Sequence, residues 1–417
     1  MVAFKFPMSE GQYIGDSSRD KIYELSKDYC CLFRISGDYI ISKNWNEHPL
    51  SSSKCRNLEQ PIRDNGRLVS ARHFETTCTE QDFFTYEYFY SWENLKIYDL
   101  YIYEKAYLPT AFVKAVLKLY CDKTTLKGVE GSELLYLLAK EMLNSTYGMT
   151  VTDIVREILE YDGEDYHSNY DGMTKEEYAN FIKEQIARYN SNPYRFLFYP
   201  WGVWVTAYSR ANLFSGIRAC GNDYIYSDTD SIKILNPDSH MNYIKAYNAD
   251  ITQKIEEACR FHCIPEDEII KLTRPQSIDG VEHPLGVWDF EGIYDEFMTL
   301  GAKRYMWRKG DKWNLTVAGV NKHSAMEYLR EEAERQRVSP FDLFNENLVI
   351  PPSHSGRITL TYLDGDDVPI EGDVTDYLGN TYHYREESAI HMEPSDYHFN
   401  SLDSFLKFLF TIREEQW

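Results

Sequence analysis

The feature that most constrains this chain is a pair of aspartates, Asp228 and Asp230, set between two short apolar runs. The run before them, residues 224–226, and the run after them, residues 232–235, predict two strands joined by a polar turn. In a strand, side chains at positions i and i+2 leave the same face, so we expect both carboxylates to reach one site. Two carboxylates held that close repel each other unless a cation lies between them.

Carboxylate oxygens are hard ligands, and they suit Mg²⁺ or Mn²⁺. Phosphoryl and nucleotidyl transfer depend most on such a site, because the ions bind the attacking and leaving oxygens of an in-line displacement. The plain alternative is a surface turn, since Asp, Ser and Thr are ordinary turn residues. The turn by itself does not separate these two interpretations.

Composition narrows the class of protein. The chain has 417 residues, 43% of them hydrophobic, which is typical of a folded chain with two or more domains. It has no apolar run long enough to cross a membrane and no signal peptide, and its eight cysteines form no zinc pattern. The nearest cluster, Cys259 and Cys263 with His262, is better explained by idle thiols. We therefore expect a reduced cytoplasmic protein, in the host-cell cytoplasm if its source is viral.

The net charge of −22 argues against a general nucleic-acid binder, because phosphate contacts need Lys and Arg. The acidic residues, however, are concentrated in residues 153–184 and 364–396, and basic residues are denser in 114–140 and around 303–309. Local charge, rather than the total, decides where a polyanion binds.

Hydrophobic spacing and turn residues predict the remaining elements. We expect residues 1–105 to be polar and loop-rich. The predicted elements are strands at 83–90 and 97–103, a helix at 108–119, a loop at 121–131, a helix from Ser132 to Tyr147 ended by Gly148, a helix at 202–220, and strands beyond Pro284.

Lys140, Asn144 and Tyr147 stand at i, i+4 and i+7 of one predicted helix, and therefore share a face. A lysine aimed at a triphosphate, with an amide and a phenol beyond it, has the chemistry to hold an incoming nucleotide. The alternative is a surface stripe on an amphipathic helix. Lys123 and Lys127, in the predicted loop before this helix, add positive charge or are simply solvated.

Leu134, Leu138 and Met142 mark another face of the same helix, and we expect that face to pack. Farther along the chain, Lys303 and Tyr305 lie in an apolar context that predicts a strand, where they would share a face. Such a pair can clamp a nucleic-acid backbone, although lysine beside an aromatic strand is a common pattern.

Taken in order, residues 140–148, 226–231 and 303–305 resemble three successive motifs of family B DNA polymerases, in the protein-primed branch of bacteriophages and mobile elements. These are the fingers helix, the palm hairpin and the primer-gripping lysine and tyrosine. Residues 201–210, 285–288 and 316–322 are similar to that branch as well. The resemblance covers about residues 80 to 365.

This resemblance implies an α+β fold of the polymerase right-hand type, with an antiparallel palm sheet, helical fingers, a small β-rich thumb and insertions. The implied domains are residues 1–107, the N-terminal part of the palm with a first inserted region; 108–148, the fingers; 149–200, an acidic insertion; 201–300, the palm with the catalytic hairpin; and 301–417, the thumb and C-terminal region.

The resemblance also implies an enzyme, a DNA-directed DNA polymerase with two Mg²⁺ or Mn²⁺ ions. Asp230 would bind both ions and Asp228 would assist. Primer-template DNA and deoxynucleoside triphosphates would be its partners, with a priming terminal protein as a further candidate. The implied binding residues are Lys140 for the nucleotide phosphates, Asn144 and Tyr147 for sugar and base, Lys123 and Lys127 for added charge, and Lys303 and Tyr305 for the primer end.

One family motif, Asp-x-x-Ser-Leu-Tyr-Pro, has no match in residues 1–139, and its Asp is the other metal ligand. The nearest candidate, residues 99–103, lacks the Ser and the Pro. Residues 1–8 resemble the segment that follows this motif in the family, and the exonuclease domain is absent too. We therefore hypothesise that an N-terminal partner or fragment supplies both.

The alternative function is a non-catalytic polymerase relic that binds primer-template DNA or a priming protein. A reverse-transcriptase or cyclase palm fits poorly, because neither explains the helix at residues 140–148.

Overall fold

The computed structural model describes the greater part of the chain, and it divides that part into two compact units. Unit 1 comprises Met1–Arg63, Arg67–Ile154 and Glu184–Phe290, and unit 2 comprises Asp64–Gly66, Val155–Lys183 and Glu291–Trp417. The mixture of helices and antiparallel sheets confirms the predicted α+β class. The described residues are 1–43, 47–155, 159–161, 166–168, 172–193, 196–318, 320–345, 348–351, 354, 370–375, 381–386 and 390–391.

The first part of the chain forms long antiparallel strands, so the loop-rich prediction for residues 1–105 was wrong. Strands β1, β7, β3, β6 and β4 lie side by side in that order, with β2 also paired to β7 and β5 to β6. In β3, Cys31, Phe33 and Ile35 are buried on one face, while the residues between them, Leu32 and Arg34, are only partly buried. The elements are β1 (Phe6–Pro7), β2 (Gln12–Ser17), α1 (Arg19–Leu25), β3 (Tyr29–Ser42), β4 (Cys55–Glu59), β5 (Ile62–Asp64), β6 (Arg67–Thr79), α2 (Glu80–Phe89) and β7 (Tyr90–Ala106).

Residues 83–90, predicted as a strand, instead belong mostly to helix α2. Thr79 begins the helix with a capping box, in which its hydroxyl accepts from the Asp82 backbone N–H and the Asp82 side chain accepts from the Thr79 N–H. The buried residues Phe83, Tyr86 and Phe89 are three apart, which is a helical spacing rather than the spacing of a strand. The aromatic composition indicated β structure, but the cap and the spacing decided for the helix.

The predicted helices of the middle region are present. The strand predicted at 97–103 lies inside β7. The helix predicted at 108–119 runs six residues farther than predicted, to Thr125. Parts of the predicted acidic insertion, 149–200, lie outside the described residues. The elements are α3 (Thr110–Thr125), α4 (Glu133–Gly148), β8 (Leu159–Tyr161), β9 (Tyr166–Ser168), α5 (Lys175–Ser191), α6 (Tyr199–Cys220), β10 (Tyr224–Asp228), β11 (Ser231–Ile234), α7 (Pro237–Phe261) and α8 (Glu266–Thr273).

Unit 1 has two buried clusters. The first lies between the sheet and helix α2, and the C-terminal half of α6 contributes Phe214, Ile217 and Cys220 to it. The second gathers the first residues of the chain with α3, the N-terminal half of α6, α7 and α8. Helix α6 therefore packs into both clusters, and a short 3-10 turn, Gly221–Asp223, connects its end to strand β10.

Unit 2 contains a three-stranded antiparallel sheet whose core includes Met306, Leu315 and Leu329. Within the part of the chain that is described, no helix is long and apolar enough to span a membrane. The remaining elements are β12 (Glu296–Gly301), β13 (Arg304–Lys309), β14 (Lys312–Val317), α9 (Lys322–Gln336), α10 (Pro340–Leu343), β15 (Val349–Ile350), β16 (Ile370–Thr375), β17 (Thr381–Glu386) and β18 (Ile390–His391).

Candidate active site

The two aspartates lie at the tip of the hairpin formed by β10 and β11. Asp228 pairs with Ser231, so Thr229 and Asp230 are the two central residues of the turn. The predicted hairpin, with both aspartates at its tip, is confirmed. The argument from strand alternation was wrong, because Asp230 lies in the turn and not in a strand. The tight turn, not the pleat, sets where the two carboxylates point.

The turn has an unusual backbone. Of its two central residues, Thr229 alone has a positive φ, 58°. In two-residue hairpin loops, glycine normally fills a first central position with positive φ, and a β-branched residue there is strained. The hydroxyl of Thr229 donates to Oδ1 of Asp228 at 3.0 Å, and the N–H of Asp230 donates to the Asp228 carbonyl at 2.6 Å. These contacts hold the turn closed, and such strain is typical of a functional loop.

The body of the hairpin is anchored by apolar packing. Tyr224 and Tyr226 are buried, and Ile232 and Ile234 pack against the first cluster of unit 1. Gly216 of α6 allows the closest approach, because a Cβ at that position would lie 2.5 Å from Cδ1 of Ile232. The bare backbone of α6 therefore touches the strand that follows the aspartates.

Helix α6 is itself held by buried charged groups, which the sequence did not reveal. The indole N–H of Trp204 donates to both carboxylate oxygens of Glu80, at 3.0 and 3.2 Å, and the Cys31 N–H donates to the same group at 2.9 Å. Arg210 forms a bidentate pair with Asp82, at 2.8 and 3.0 Å. Burial raises the pKa of Glu80, although its hydrogen bonds oppose that rise.

Lys140, Asn144 and Tyr147 all lie on α4, at the spacing that the sequence predicts. Lys140 is half-buried, whereas Asn144 and Tyr147 are exposed. Burial acts to lower the pKa of Arg210, but its pKa is raised on balance by Asp82, with a smaller contribution from Tyr147. Tyr147 therefore lies near enough to α6 to act on a residue of the helix that leads to the aspartates.

Two expectations about this region need correction. Lys123 lies in the last turn of α3 rather than in a loop, while Lys127 is exposed in the connection that follows. The face of Leu134, Leu138 and Met142 does not pack, and Leu134 is 70% exposed. Ala139 is the one fully buried residue of α4, all of which the structure describes. Leu143, one turn later, is partly buried against the second cluster of unit 1.

Lys303 and Tyr305 belong to unit 2, and they do not share a strand face. Gly301 pairs with Arg304, so Lys303 lies in the turn between β12 and β13, with a φ of 56°. Tyr305 lies in β13 and stacks on Phe297, with ring centroids 5.6 Å apart. The prediction that both residues lie in one strand was wrong.

The aspartate pair suits a divalent cation in chemistry, but it is an incomplete ligand set. Both carboxylates are hard oxygen donors at an accessible hairpin tip. Among the described residues there is no group of three or more His, Cys, Asp and Glu side chains that could hold a metal ion. Asp99, the nearest sequence candidate for a third carboxylate, lies in β7 and contacts Arg34 and Tyr13 instead.

No protein-family model matches the chain, and no curated protein matches it. Solved structures do match. The orthorhombic crystal form of Phi29 DNA polymerase superposes with a TM-score of 0.54 at 14% identity, covering 94% of this chain and 56% of that one. The same polymerase complexed with primer-template DNA gives a TM-score of 0.53 at 13% identity, covering 94% and 55%.

This chain has a DNA-polymerase-like fold. The ternary complex of Phi29 DNA polymerase with primer-template DNA and incoming nucleotides matches as well, with a TM-score of 0.53 at 14% identity and coverage of 93% and 55%. The chain thus spans about half the length of the polymerase that it matches. Sequence identity of 13–14% with a solved structure supports a shared fold, whereas activity depends on the residues of the site itself.

Proposed function

We propose that this chain is the C-terminal catalytic part of a DNA-directed DNA polymerase, which adds deoxynucleotides to a primer 3′ end. The observation that supports the proposal is the aspartate pair at the strained tip of a hairpin, in a chain with a polymerase-like fold. Helix α6 precedes this hairpin in the chain. A surface turn has no need of a β-branched residue in the left-handed region.

In this proposal Asp228 and Asp230 hold two Mg²⁺ or Mn²⁺ ions, which when bound stabilise the charge on the attacking and leaving oxygens. The ammonium group of Lys140 neutralises charge on the triphosphate, since a lysine is a point charge suited to phosphate. Lys123 and Lys127 add to that positive charge. Asn144 and Tyr147, exposed on the same face of α4, form the part of the pocket that contacts the sugar and the base.

Lys303 and Tyr305 would bind the primer, through an ion pair with a phosphate and through the edge or face of the ring. The partition into palm (1–107 and 201–300), fingers (108–148), acidic insertion (149–200) and thumb with C-terminal region (301–417) is part of the same proposal. So is a cytoplasmic location, in the host cell if the source is viral.

The aspartate pair needs a third carboxylate, because a two-metal cage takes bridging ligands from more than one strand. We propose that a further polymerase segment or subunit supplies it. A terminal protein that offers a hydroxyl in place of a primer is a possible further partner. The hairpin sheet consists of β10 and β11 alone within the described residues, so an added strand has an edge to pair with.

Primer extension with Mg²⁺ or Mn²⁺ tests the proposal, first with this chain alone and then with a segment that carries the missing aspartate motif. We expect synthesis only in the mixture, and its loss in Asp228→Asn and Asp230→Asn. Asp238→Asn, an exposed carboxylate in the first turn of α7, is the matched control and is expected to retain activity. Robust synthesis by the chain alone would contradict the need for a partner.

A second candidate function is a non-catalytic module that binds primer-template DNA. The absence of a three-carboxylate cluster among the described residues favours it. DNA binding that survives Asp228→Asn, falls with Lys303→Ala and weakens with added salt, together with no synthesis in any mixture, would decide for this alternative.

A further inference from the structure

The hairpin that carries the aspartates has little support of its own. It is a two-stranded sheet, and within the described residues no third strand pairs with it. Isolated two-stranded hairpins are marginally stable in water. The position of its tip therefore depends on contacts made from outside the two strands.

Its register is also irregular. Tyr224 pairs with Ile234, but Tyr226 pairs with Lys233, so Ile225 is an extra residue in β10. The bulge sets two residues of β10 against one residue of β11, and a shift of the pairing by one residue would turn every side chain of the strand to the opposite face. Something must select the pairing in which Asp228 ends the strand and Asp230 lies in the turn.

Asp223, immediately before β10, makes contacts that can select it. Its backbone carbonyl accepts from the Leu235 N–H at 2.8 Å, and its Oδ1 accepts from Nδ2 of Asn236 at 3.1 Å. Its Oδ2 lies 2.8 Å from Nε2 of His240, in the first turns of α7. The pKa of Asp223 is lowered, first by the hydrogen bond from His240 and then by that from Asn236. The residues flanking the two strands are thus tied together at the base of the hairpin.

Helix α7, which carries His240, is a firm support for this clamp. Tyr243, one turn after His240, shares a hydrogen bond of 2.7 Å with Ser215 of α6. Asn248, farther along α7, makes two hydrogen bonds to the backbone of Trp288, at 2.8 and 2.9 Å. His240 is also largely enclosed, with its side chain 13% exposed.

We infer that Asp223 and His240 are positioning residues that set the register of the hairpin and thereby the placement of Asp228 and Asp230. The inference rests on the proposed function for its consequence in metal binding, but the register role stands on the hairpin alone. Neither residue would touch substrate. Loss of the clamp lets the bulge move, and the tip carboxylates separate or turn away.

The chain contains a matched control. His73 and Asp38 form a second histidine–aspartate pair, 2.7 Å apart, between strands β6 and β3 of the large sheet. Its carboxylate also has a lowered pKa, first because of the hydrogen bond from the histidine. His73→Leu therefore removes the same kind of contact as His240→Leu, away from the hairpin.

The first measurement is hydrogen exchange of the hairpin amides in the full chain. We expect His240→Leu to accelerate exchange in β11 by about tenfold or more, because a hydrogen bond to a charged group is lost. His240→Gln, which keeps a donor, should restore most of the protection, and His73→Leu should leave β11 unchanged. Equal exchange in β11 for the two leucine variants would overturn the inference. Should His240→Leu fail to fold, Asp223→Asn gives the same comparison in a milder form.

The second measurement is the affinity of the chain for Tb³⁺, read from luminescence sensitised by nearby aromatic rings. We expect His240→Leu to weaken this affinity by about tenfold, as loss of a supporting residue around a metal site does. His240→Gln should recover it, and His73→Leu should match the unchanged chain. Binding that does not respond to the double change Asp228→Asn, Asp230→Asn would refute the proposed metal site, while the exchange experiment would still decide the register.

Discussion

Replacing Trp204 with phenylalanine tests the buried hydrogen bond between α6, which leads to the hairpin, and Glu80 at the start of α2. Trp204 is 1% exposed and donates its indole N–H to the buried carboxylate of Glu80. Trp201, one turn earlier, is also buried, but it donates at 3.0 Å to the backbone carbonyl of Pro7. Trp201→Phe is therefore a matched control, with the same change of ring and a neutral acceptor in place of a carboxylate.

Both substitutions lose the same amount of ring, so the difference between their losses of unfolding free energy reports the effect of the hydrogen-bond acceptor alone. A hydrogen bond to a neutral carbonyl contributes about 1 kcal/mol, and one to a charged group contributes about 1.5–3 kcal/mol. Trp204→Phe also leaves the Glu80 carboxylate with one donor fewer while it stays buried. We expect the free energy of unfolding to fall about 1 kcal/mol further in Trp204→Phe than in Trp201→Phe at neutral pH.

The extra loss of unfolding free energy in Trp204→Phe, relative to Trp201→Phe, should also depend on pH. Below the ordinary glutamate pKa of 4.5, Glu80 carries its proton in both the folded and the unfolded chain. As the pH rises, the unfolded chain ionises first because burial raises the folded pKa, and the free energy of unfolding falls until that folded pKa is passed. Removing the Trp204 donor raises the folded pKa further. The excess loss should therefore grow with pH, by at most about 1.4 kcal/mol per pH unit.

Urea unfolding followed by far-UV circular dichroism at pH 5 and pH 8 measures both effects. The expected result is a gap between the two variants that widens at the higher pH, while the loss in Trp201→Phe stays constant. Equal losses in the two variants at both pH values would refute the view that Glu80 is held as a buried carboxylate by Trp204.

Two further predictions concern the same helix. Gly216→Ala places a Cβ 2.5 Å from a side chain of the hairpin, so we expect it to destabilise the protein by about 1–3 kcal/mol in thermal unfolding. Gly148→Ala is the control, because Gly148 has helical dihedrals and nothing lies within 4 Å of the added Cβ. We expect this control to stabilise the protein by about 0.5–1 kcal/mol. Arg210→Leu leaves buried Asp82 unpaired and should cost about 3 kcal/mol in urea unfolding, whereas Arg260→Leu breaks an exposed pair and should cost under about 1 kcal/mol. Equal effects within either pair would contradict these contacts.

Local patterns in the sequence were sufficient for the hairpin and for three of the helices. Short apolar runs on both sides of a polar turn predicted β10 and β11, and helical spacing with a terminal glycine predicted α4. These patterns work because each element buries one face and is punctuated by residues with a known backbone preference. The capping box at Thr79 was also visible in the sequence, and it would have identified α2 as a helix.

Burial by distant residues was beyond such patterns. Glu80 is 0% exposed because Trp204 and the Cys31 N–H satisfy its carboxylate, and those partners lie 124 and 49 residues away in the chain. The leucines of α4 show the opposite case, because their spacing is that of a packed face and yet they are exposed. Whether an amphipathic face is covered depends on which element is brought against it, and spacing carries no information about that.

The sequence by itself determined the aspartate pair, the hairpin around it and the face of α4 that carries Lys140, because these depend on local periodicity and turn chemistry. The tertiary structure decided that the turn is a tight two-residue loop with a positive φ at Thr229, and that Lys303 lies in a turn rather than in a strand. It also decided that the hairpin is clamped at its base by Asp223 and His240. Register and clamp arise from pairings between separated segments, and such pairings are chosen by the free energy of the assembled fold.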